Sequence, residues 1–418
     1  LTLKAHKCIF YLSKQGRETM GTALGKKKFE ERLSSPAVVF SVITVLFLIS
    51  RIIMYVVYCR YTGNSGFSSF ALDINEWDCG WYKWYILNIA DDLNILDATP
   101  ATTGQAWWAF FPLFPSVTAL FWKIFGGGNE DNVFYIGQAL NTVFFLIAQY
   151  YGHRYIMLTR KSLWAAYSYV AFMSLGLYSF YFSIIYTEAL FLMLLTLCFY
   201  FMKQKKYVLM GISGAFLSAT RNAGIMFVFV ILTELITEYV REGNHGGIFK
   251  STKDFIVTNL KKPTLIFGTC LVPMGFFLYM ALLSNITGDG LAFLHVQRAW
   301  GKNTDGLIAN LKDAFYYSFP PSYLSLSVLL IIALIIITCA RQKNFPETVF
   351  SAIILLTSAS SSFDSVPRYA IGSFTFVLAF SDEFAKFRPV TKIVIGTIIC
   401  LFEITLIKYW FAYSSWLV

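Results

Sequence analysis

The chain has 418 residues, 56 % of them hydrophobic and 14 % charged, with a formal net charge of +10 and a mean hydropathy of +0.58. Soluble domains carry about 25 % charged residues, so this balance excludes an ordinary water-soluble fold and predicts an all-α, polytopic membrane helix bundle. The basic residues lie in short segments between apolar runs, which reads as a topology signal and points away from nucleic acid.

Residues 1–36 carry Lys4, Lys7, Lys14, Arg17, Lys26, Lys27, Lys28 and Arg32, and the positive-inside rule holds such a segment in the cytoplasm. No cleavable leader pattern is evident. The first apolar run, Ala37 to Cys59, reads as a signal anchor, and residues 37–418 as one integral membrane domain. After it, residues 60–105 hold Asp73, Glu76, Asp78, Asp91, Asp92 and Asp97 against only Arg60 and Lys83, which places this loop on the far side.

The stretch "WWAFFPLFPSVTALFWKIF" at 107–125 carries Pro112, Pro115 and an aromatic start. It suits an interfacial or re-entrant segment, because a full crossing would invert the parity of every later loop. Basic markers then recur at 153–161, 203–206, 241–262, 341–343 and 386–388, each separated from the next by two apolar segments. The turns near 184–188, near Arg221, at 284–322 and at 364–368 therefore face outside. This arithmetic gives about eleven spans with the C-terminus outside.

The outward turns gather Asp73, Glu76 and Asp78, then Glu188, Arg221, His295, Gln297, Arg298, Lys302 and Arg368. An ionisable residue in or beside a span costs about 2.5–3.5 kcal/mol on insertion scales, so it is kept for pairing or function. A carboxylate beside several cations is what transfer from a phosphate-linked donor needs: a base for the acceptor hydroxyl and cations for the leaving phosphate. The guanidinium fork of Arg221, Arg298 or Arg368 matches phosphate oxygens. The plainer alternatives are a helix cap or loop carboxylate for Asp78, a buried structural pair for Glu188, and interfacial snorkelling for the arginines.

The motifs "EWDCGWYKWYILNIA", "AWWAFFPLFP", "YTEALF" and "ATRNAG", in that order over about 76–224, resemble the PIG-V family of mannosyltransferases, which act second in GPI-anchor assembly, and their prokaryotic relatives. The resemblance implies a GT-C type glycosyltransferase using a polyprenyl or dolichyl phosphate sugar, with its first outer-loop acid as catalytic base. It puts Asp78 at the family's W-D aspartate, Glu188 at its S-E glutamate and Arg221 at its R-S-N-G arginine. Trp81 and Tyr82 stand where eukaryotic members often have His and Phe, "TEA" replaces "SES", and "RNAG" replaces "RSNG".

Asp78 is thus the expected base, with Glu76 and Asp73 as the other candidates. A divalent ion on these three is an alternative because carboxylates suit Mg or Mn, although a lipid-phosphate donor lacks the diphosphate that a metal usually clamps; no metal site or cofactor is assigned. Trp81 and Tyr82 are candidates to stack on sugar, in a set that otherwise reads as interfacial belt. The seven cysteines are scattered singles; Cys59 and Cys79 are the pair that topology would allow to meet. The four histidines show no zinc spacing. "GGGN" at 126–129 reads as a turn, and Asn285 begins a glycosylation sequon.

The expected function is inverting transfer of mannose to a lipid-linked or surface glycan. The protein would sit in the endoplasmic reticulum membrane of a eukaryote or the inner membrane of a bacterium, among membrane lipids and with room for an accessory membrane subunit. Two rivals remain: a transporter or lipid flippase, for which charged pathway residues would also be expected, and an acyl or phosphoglycan transferase, for which His295 is the outer histidine on offer.

Overall fold

The computed structural model describes residues 29–91, 99–243, 248–301, 306–316, 321–360, 363, 366–414 and 417. Among the described residues the chain is helical, without strands. Helix α1 (Pro36–Thr62) opens on a proline in its first turn and closes where Gly63 takes φ 73°, the usual pairing of a pre-organised start with a left-handed stop. At about 1.5 Å per residue it outreaches the roughly 30 Å hydrocarbon layer.

Two short helices follow, α2 (Phe67–Asp73) and α3 (Cys79–Asp91), and then α4 (Leu113–Phe125). Tyr82 near the start of α3 meets Phe114 near the start of α4, with ring centroids 5.8 Å apart. Lys123 near the end of α4 donates to the Ala90 carbonyl near the end of α3 at 3.1 Å. The two helices therefore run side by side in one direction. Each has 13 residues, roughly 20 Å of helix, which falls short of a crossing.

Helix α5 (Asn132–Thr159) starts back beside α3, where Lys83 pairs with Asp131 at 3.0 Å. Then come α6 (Leu163–Leu175), α7 (Glu188–Lys203), α8 (Tyr207–Thr220) and α9 (Phe227–Glu242). The second half holds α10 (Ile248–Leu260), α11 (Pro263–Leu271), α12 (Met274–Thr287), α13 (Ala292–His295), α14 (Leu307–Tyr316), α15 (Pro321–Arg341) and α16 (Phe345–Ala359). The chain ends with α17 (Val366–Gly372), α18 (Thr375–Phe384) and α19 (Pro389–Phe411). Where α8 crosses α11 the backbones touch: a Cβ on Gly211 would strike Gly268, and one on Gly268 would strike Tyr207. Small residues allow such close approach where lipid supplies no hydrophobic drive.

Among the described residues five helices are long and apolar enough to cross a membrane: Pro36–Thr62, Asn132–Thr159, Asn222–Glu242, Pro263–Thr287 and Pro389–Phe411. Other apolar segments form shorter helices, because the chain leaves helical geometry inside them. The clearest break separates α6 from α7. There Ser179–Ser183 winds as a 3-10 turn, and Phe180 through Phe182 and Ile184 through Thr187 are all buried.

Irregular backbone at that depth must find partners inside the protein, and side chains from three other elements supply them. Glu403 of α19 accepts the backbone N–H groups of Tyr178 and Phe180 at 2.7 and 3.3 Å and the Ser179 hydroxyl at 2.8 Å. Asn141 of α5 donates to the Ile184 and Tyr186 carbonyls. Asn75, just after α2, accepts from the Ile185 N–H at 3.0 Å. These anchors fix the entry to α7, and with it the position of Tyr186, Thr187 and Glu188.

Helix α5 has 28 residues, and its two ends separate two sets of charges. Around its C-terminal end Arg160 pairs with Glu347 of α16 and, at 3.1 Å, with Asp382 of α18. Lys203 pairs with Glu234, and Arg241 donates to the Lys343 carbonyl at 3.4 Å. Basic segments far apart in sequence thus meet at one end of the bundle. The acidic loop after α1, the start of α7 and Arg368 meet at the other.

Candidate active site

The turn joining α2 to α3 holds Trp77 at φ 57°, a left-handed conformation that bulky L-residues rarely adopt. Tyr186 spans this turn: its hydroxyl accepts from the Asp78 N–H at 3.1 Å and donates to the Glu76 carbonyl at 3.4 Å. Asp78 then presents Oδ2 at 4.0 Å from Arg368 Nη1, its side chain 22 % exposed. This carboxylate thus lies beyond hydrogen-bonding distance of Arg368 and is partly open to solvent.

Behind Asp78 lies a buried network. Glu188, whose side chain is 1 % exposed, takes a charge-assisted hydrogen bond from Arg221 Nη2 and lies 3.3 Å from Arg368 Nε. Its position as first residue of α7 favours a carboxylate, since a helix N-terminus carries partial positive charge. Arg221 sits where α8 ends and the backbone becomes extended, and its Nε donates to Thr187 Oγ1 at 2.8 Å. In "RNAG" the glycine is sterically required: a Cβ on Gly224 would collide with the Leu217 carbonyl.

Aromatic faces complete the setting of both guanidinium groups. Tyr369 lies 4.7 Å from that of Arg221 and 5.1 Å from that of Arg368, and Tyr186 lies 5.3 Å from the latter. Such faces attract cations where solvent is sparse. Two carboxylates, Asp78 and Glu188, balance two arginines, so the fixed charge of the cluster is zero.

Asp73 does not join this cluster. It accepts from the Tyr58 hydroxyl of α1 at 2.7 Å. Glu76, half-buried, hydrogen-bonds Tyr413; desolvation, with the like charge of Asp73, raises its carboxyl above the ordinary value. The three loop acids thus face different partners, and among the described residues no three His, Cys, Asp or Glu side chains gather as metal ligands.

Arg298 also stands apart from Asp78, Glu188, Arg221 and Arg368. It lies exposed in the 3-10 turn Val296–Trp300, and among the described residues no ion pair engages it. Gln297 donates to the Phe293 carbonyl at 3.3 Å, so its amide serves its own turn. His295 pairs with Asp289 at 2.7 Å on the surface. Lys302 and Asp364 lie outside the described residues, as do residues 1–28 and Asp92 and Asp97.

The turn bearing Arg298 nonetheless reaches the site. Trp300 lies 5.7 Å from Trp81, one helical turn beyond Asp78, and both rings adjoin Phe110. Trp81 is thus part of a partly open aromatic wall. Tyr82 is not: it is buried among Phe110, Phe114 and Tyr186, which corrects the expectation that it faces a sugar. Its position on the inward side of α3, against α4, is the reason. Cys59 and Cys79 are free thiols, so the pairing allowed by topology does not occur.

Several residues of this site gave no sequence signal. Tyr186 is one of 25 tyrosines, and nothing local marks the one whose hydroxyl spans a turn over a hundred positions away. Arg51 and Glu403 did carry one, being charges inside apolar runs. Arg51 donates to the Ser179 carbonyl at 3.5 Å, beside the segment that Glu403 holds.

A bundle with five long apolar helices and a buried, charge-balanced cluster at one end fits an integral helical membrane protein carrying a polar site. The chain matches no known family model, and no curated protein matches it.

Proposed function

We propose that the chain is an inverting membrane glycosyltransferase of GT-C type with about eleven spans. It would move mannose from a polyprenyl or dolichyl phosphate donor to a lipid-linked or surface glycan on the outer or lumenal face. The observation that carries this reading is Asp78: a solvent-reachable carboxylate on a strained, pinned turn, backed by Glu188, Arg221 and Arg368. As general base it would take the acceptor hydroxyl proton while that oxygen displaces the lipid phosphate from the opposite face of the sugar, a role typically worth about 10² to 10⁴ in rate. The motif resemblance to the PIG-V family supports the same assignment.

The charge balance divides the arginines. Glu188 and Asp78 neutralise Arg221 and Arg368, which makes this pair a scaffold for the base. Arg298, exposed and without an ion pair among the described residues, is the cation left for the donor phosphate, and its turn is tied through Trp300 to Trp81. The transporter alternative would draw on Arg51 and Glu403, yet Glu403 is occupied with three donors of the segment before α7. The test is incubation of purified protein with radiolabelled polyprenyl phosphate mannose and an extract of lipid-linked acceptors. Label should move to acceptor with inverted anomeric configuration; protein-dependent flux of the intact donor across vesicles, without transfer, would favour the transporter.

A further inference from the structure

We propose that Tyr186 is the positioning residue for Asp78, an inference that rests on the reading of Asp78 as general base. One hydroxyl closes the turn from both sides, accepting the Asp78 N–H at 3.1 Å and donating to the Glu76 carbonyl at 3.4 Å. Between these two groups stands Trp77 at φ 57°. A non-glycine residue in this region costs on the order of 1–3 kcal/mol unless its surroundings hold it there. Trp77 is 40 % exposed; the Cys79 N–H closes the turn on the Glu76 carbonyl at 3.2 Å, and the Tyr186 hydroxyl reinforces that bond by engaging the Asp78 N–H as well.

The same side chain reaches the countercharge of the base. The Arg368 guanidinium stacks at 5.3 Å over the Tyr186 ring, and Arg368 is the cation 4.0 Å from Asp78. Tyr186 therefore fixes both members of the pair, one through its hydroxyl and the other through its ring. Its own placement is secured by Asn141, which donates to its carbonyl at 3.0 Å, and by Asn75, which accepts from the neighbouring Ile185 N–H at 3.0 Å. Loss of the hydroxyl would let the turn relax toward ordinary backbone angles and swing the Asp78 carboxylate away from the acceptor.

Tyr186→Phe separates the two functions, since it keeps the ring under Arg368 and removes only the hydroxyl. Two measurements on the full-length protein in detergent test the proposal. The first is hydrogen exchange of a peptide spanning Glu76 to Gly80: exchange of the Asp78 amide should quicken by about tenfold or more in Tyr186→Phe, and not in the distant control Tyr167→Phe. The second is turnover. Tyr186→Phe should lower kcat by about 10- to 100-fold, the range a misplacement of about 1 Å produces, while donor KM stays within about twofold.

Two combinations sharpen the result. Tyr186→Phe added to Asp78→Asn should slow turnover no further, because the hydroxyl acts only through the carboxylate. Trp77→Gly added to Tyr186→Phe should recover part of the rate, because glycine adopts the left-handed turn without steric cost. Unchanged exchange in Tyr186→Phe would overturn the proposal whatever the protein catalyses. Faster exchange with unchanged kcat, while Asp78→Asn is dead, would overturn it and leave the base assignment standing. Full turnover in Asp78→Asn would remove the base assignment itself, and the positioning role with it.

Discussion

Glu188→Gln removes one negative charge from between two guanidinium groups and changes little else. The site is poorly screened: the Glu188 side chain is 1 % exposed, Arg221 14 % and Arg368 7 %. At an effective dielectric of about 20, unit charges about 4 Å apart interact by roughly 4 kcal/mol, and breaking one member of a buried pair costs about 3–5 kcal/mol in measured cases. At roughly 2 °C per kcal/mol, the scale for large domains, Tm in detergent should fall by about 6–10 °C. The exposed pair Lys205–Glu238, with side chains 64 % and 32 % exposed, is the control, and Glu238→Gln should cost under about 1 kcal/mol. Adding Arg221→Met to Glu188→Gln should restore part of the loss, since Arg368 still has Asp78 nearby. Equal melting of Glu188→Gln and wild type, followed by tryptophan fluorescence, would refute a cluster held by Glu188.

Arg160→Met, at the far end of the bundle, leaves Glu347 and Asp382 facing each other unpaired; it should cost a similar about 3–5 kcal/mol in thermal unfolding with turnover per folded molecule unchanged. Because the folded Glu76 carboxyl is raised above its ordinary value of 4.5 by desolvation, its ionisation opposes folding: stability should decline as pH rises from the unfolded value through the folded one. Glu76→Gln should flatten that decline in a pH series of melting curves and melt slightly higher at neutral pH. Arg298→Lys keeps charge and loses the fork, so donor KM should rise about tenfold with kcat nearly held; unchanged kinetics would make Arg298 a bystander. Cysteines at Glu130 and Lys205 should react with an impermeant reagent from opposite sides of the membrane, and labelling from one side would contradict the two-ended charge map.

The helical class and membrane character were legible because hydropathy and charge distribution follow directly from the solvent. Within the run at 107–125, which holds Pro112 and Pro115, α4 has 13 residues, fewer than a full crossing needs. Hydropathy registers composition and is blind to breaks such as residues 176–187, which Glu403, Asn141 and Asn75 make tolerable from afar. Of the candidate residues, Asp78, Glu188, Arg221 and Arg368 come together in space. Charge signalled them. Tyr186, Thr187 and Tyr369 are uncharged and act through orientation, which composition does not encode. The separate fates of Asp73 and Glu76 were likewise hidden, since their partners Tyr58 and Tyr413 lie on α1 and just after α19.

The most direct measurement of the central claim is single-turnover transfer from radiolabelled polyprenyl phosphate mannose by Asp78→Asn, beside Glu76→Gln and Asp73→Asn. Asparagine keeps the size of the side chain and cannot take a proton, so Asp78→Asn should fold, bind donor normally and lose at least about 10²-fold in rate. Glu76→Gln and Asp73→Asn should retain most of theirs, since their carboxylates face tyrosines. Near wild-type transfer by Asp78→Asn, or a dead Glu76→Gln beside an active Asp78→Asn, would contradict the account.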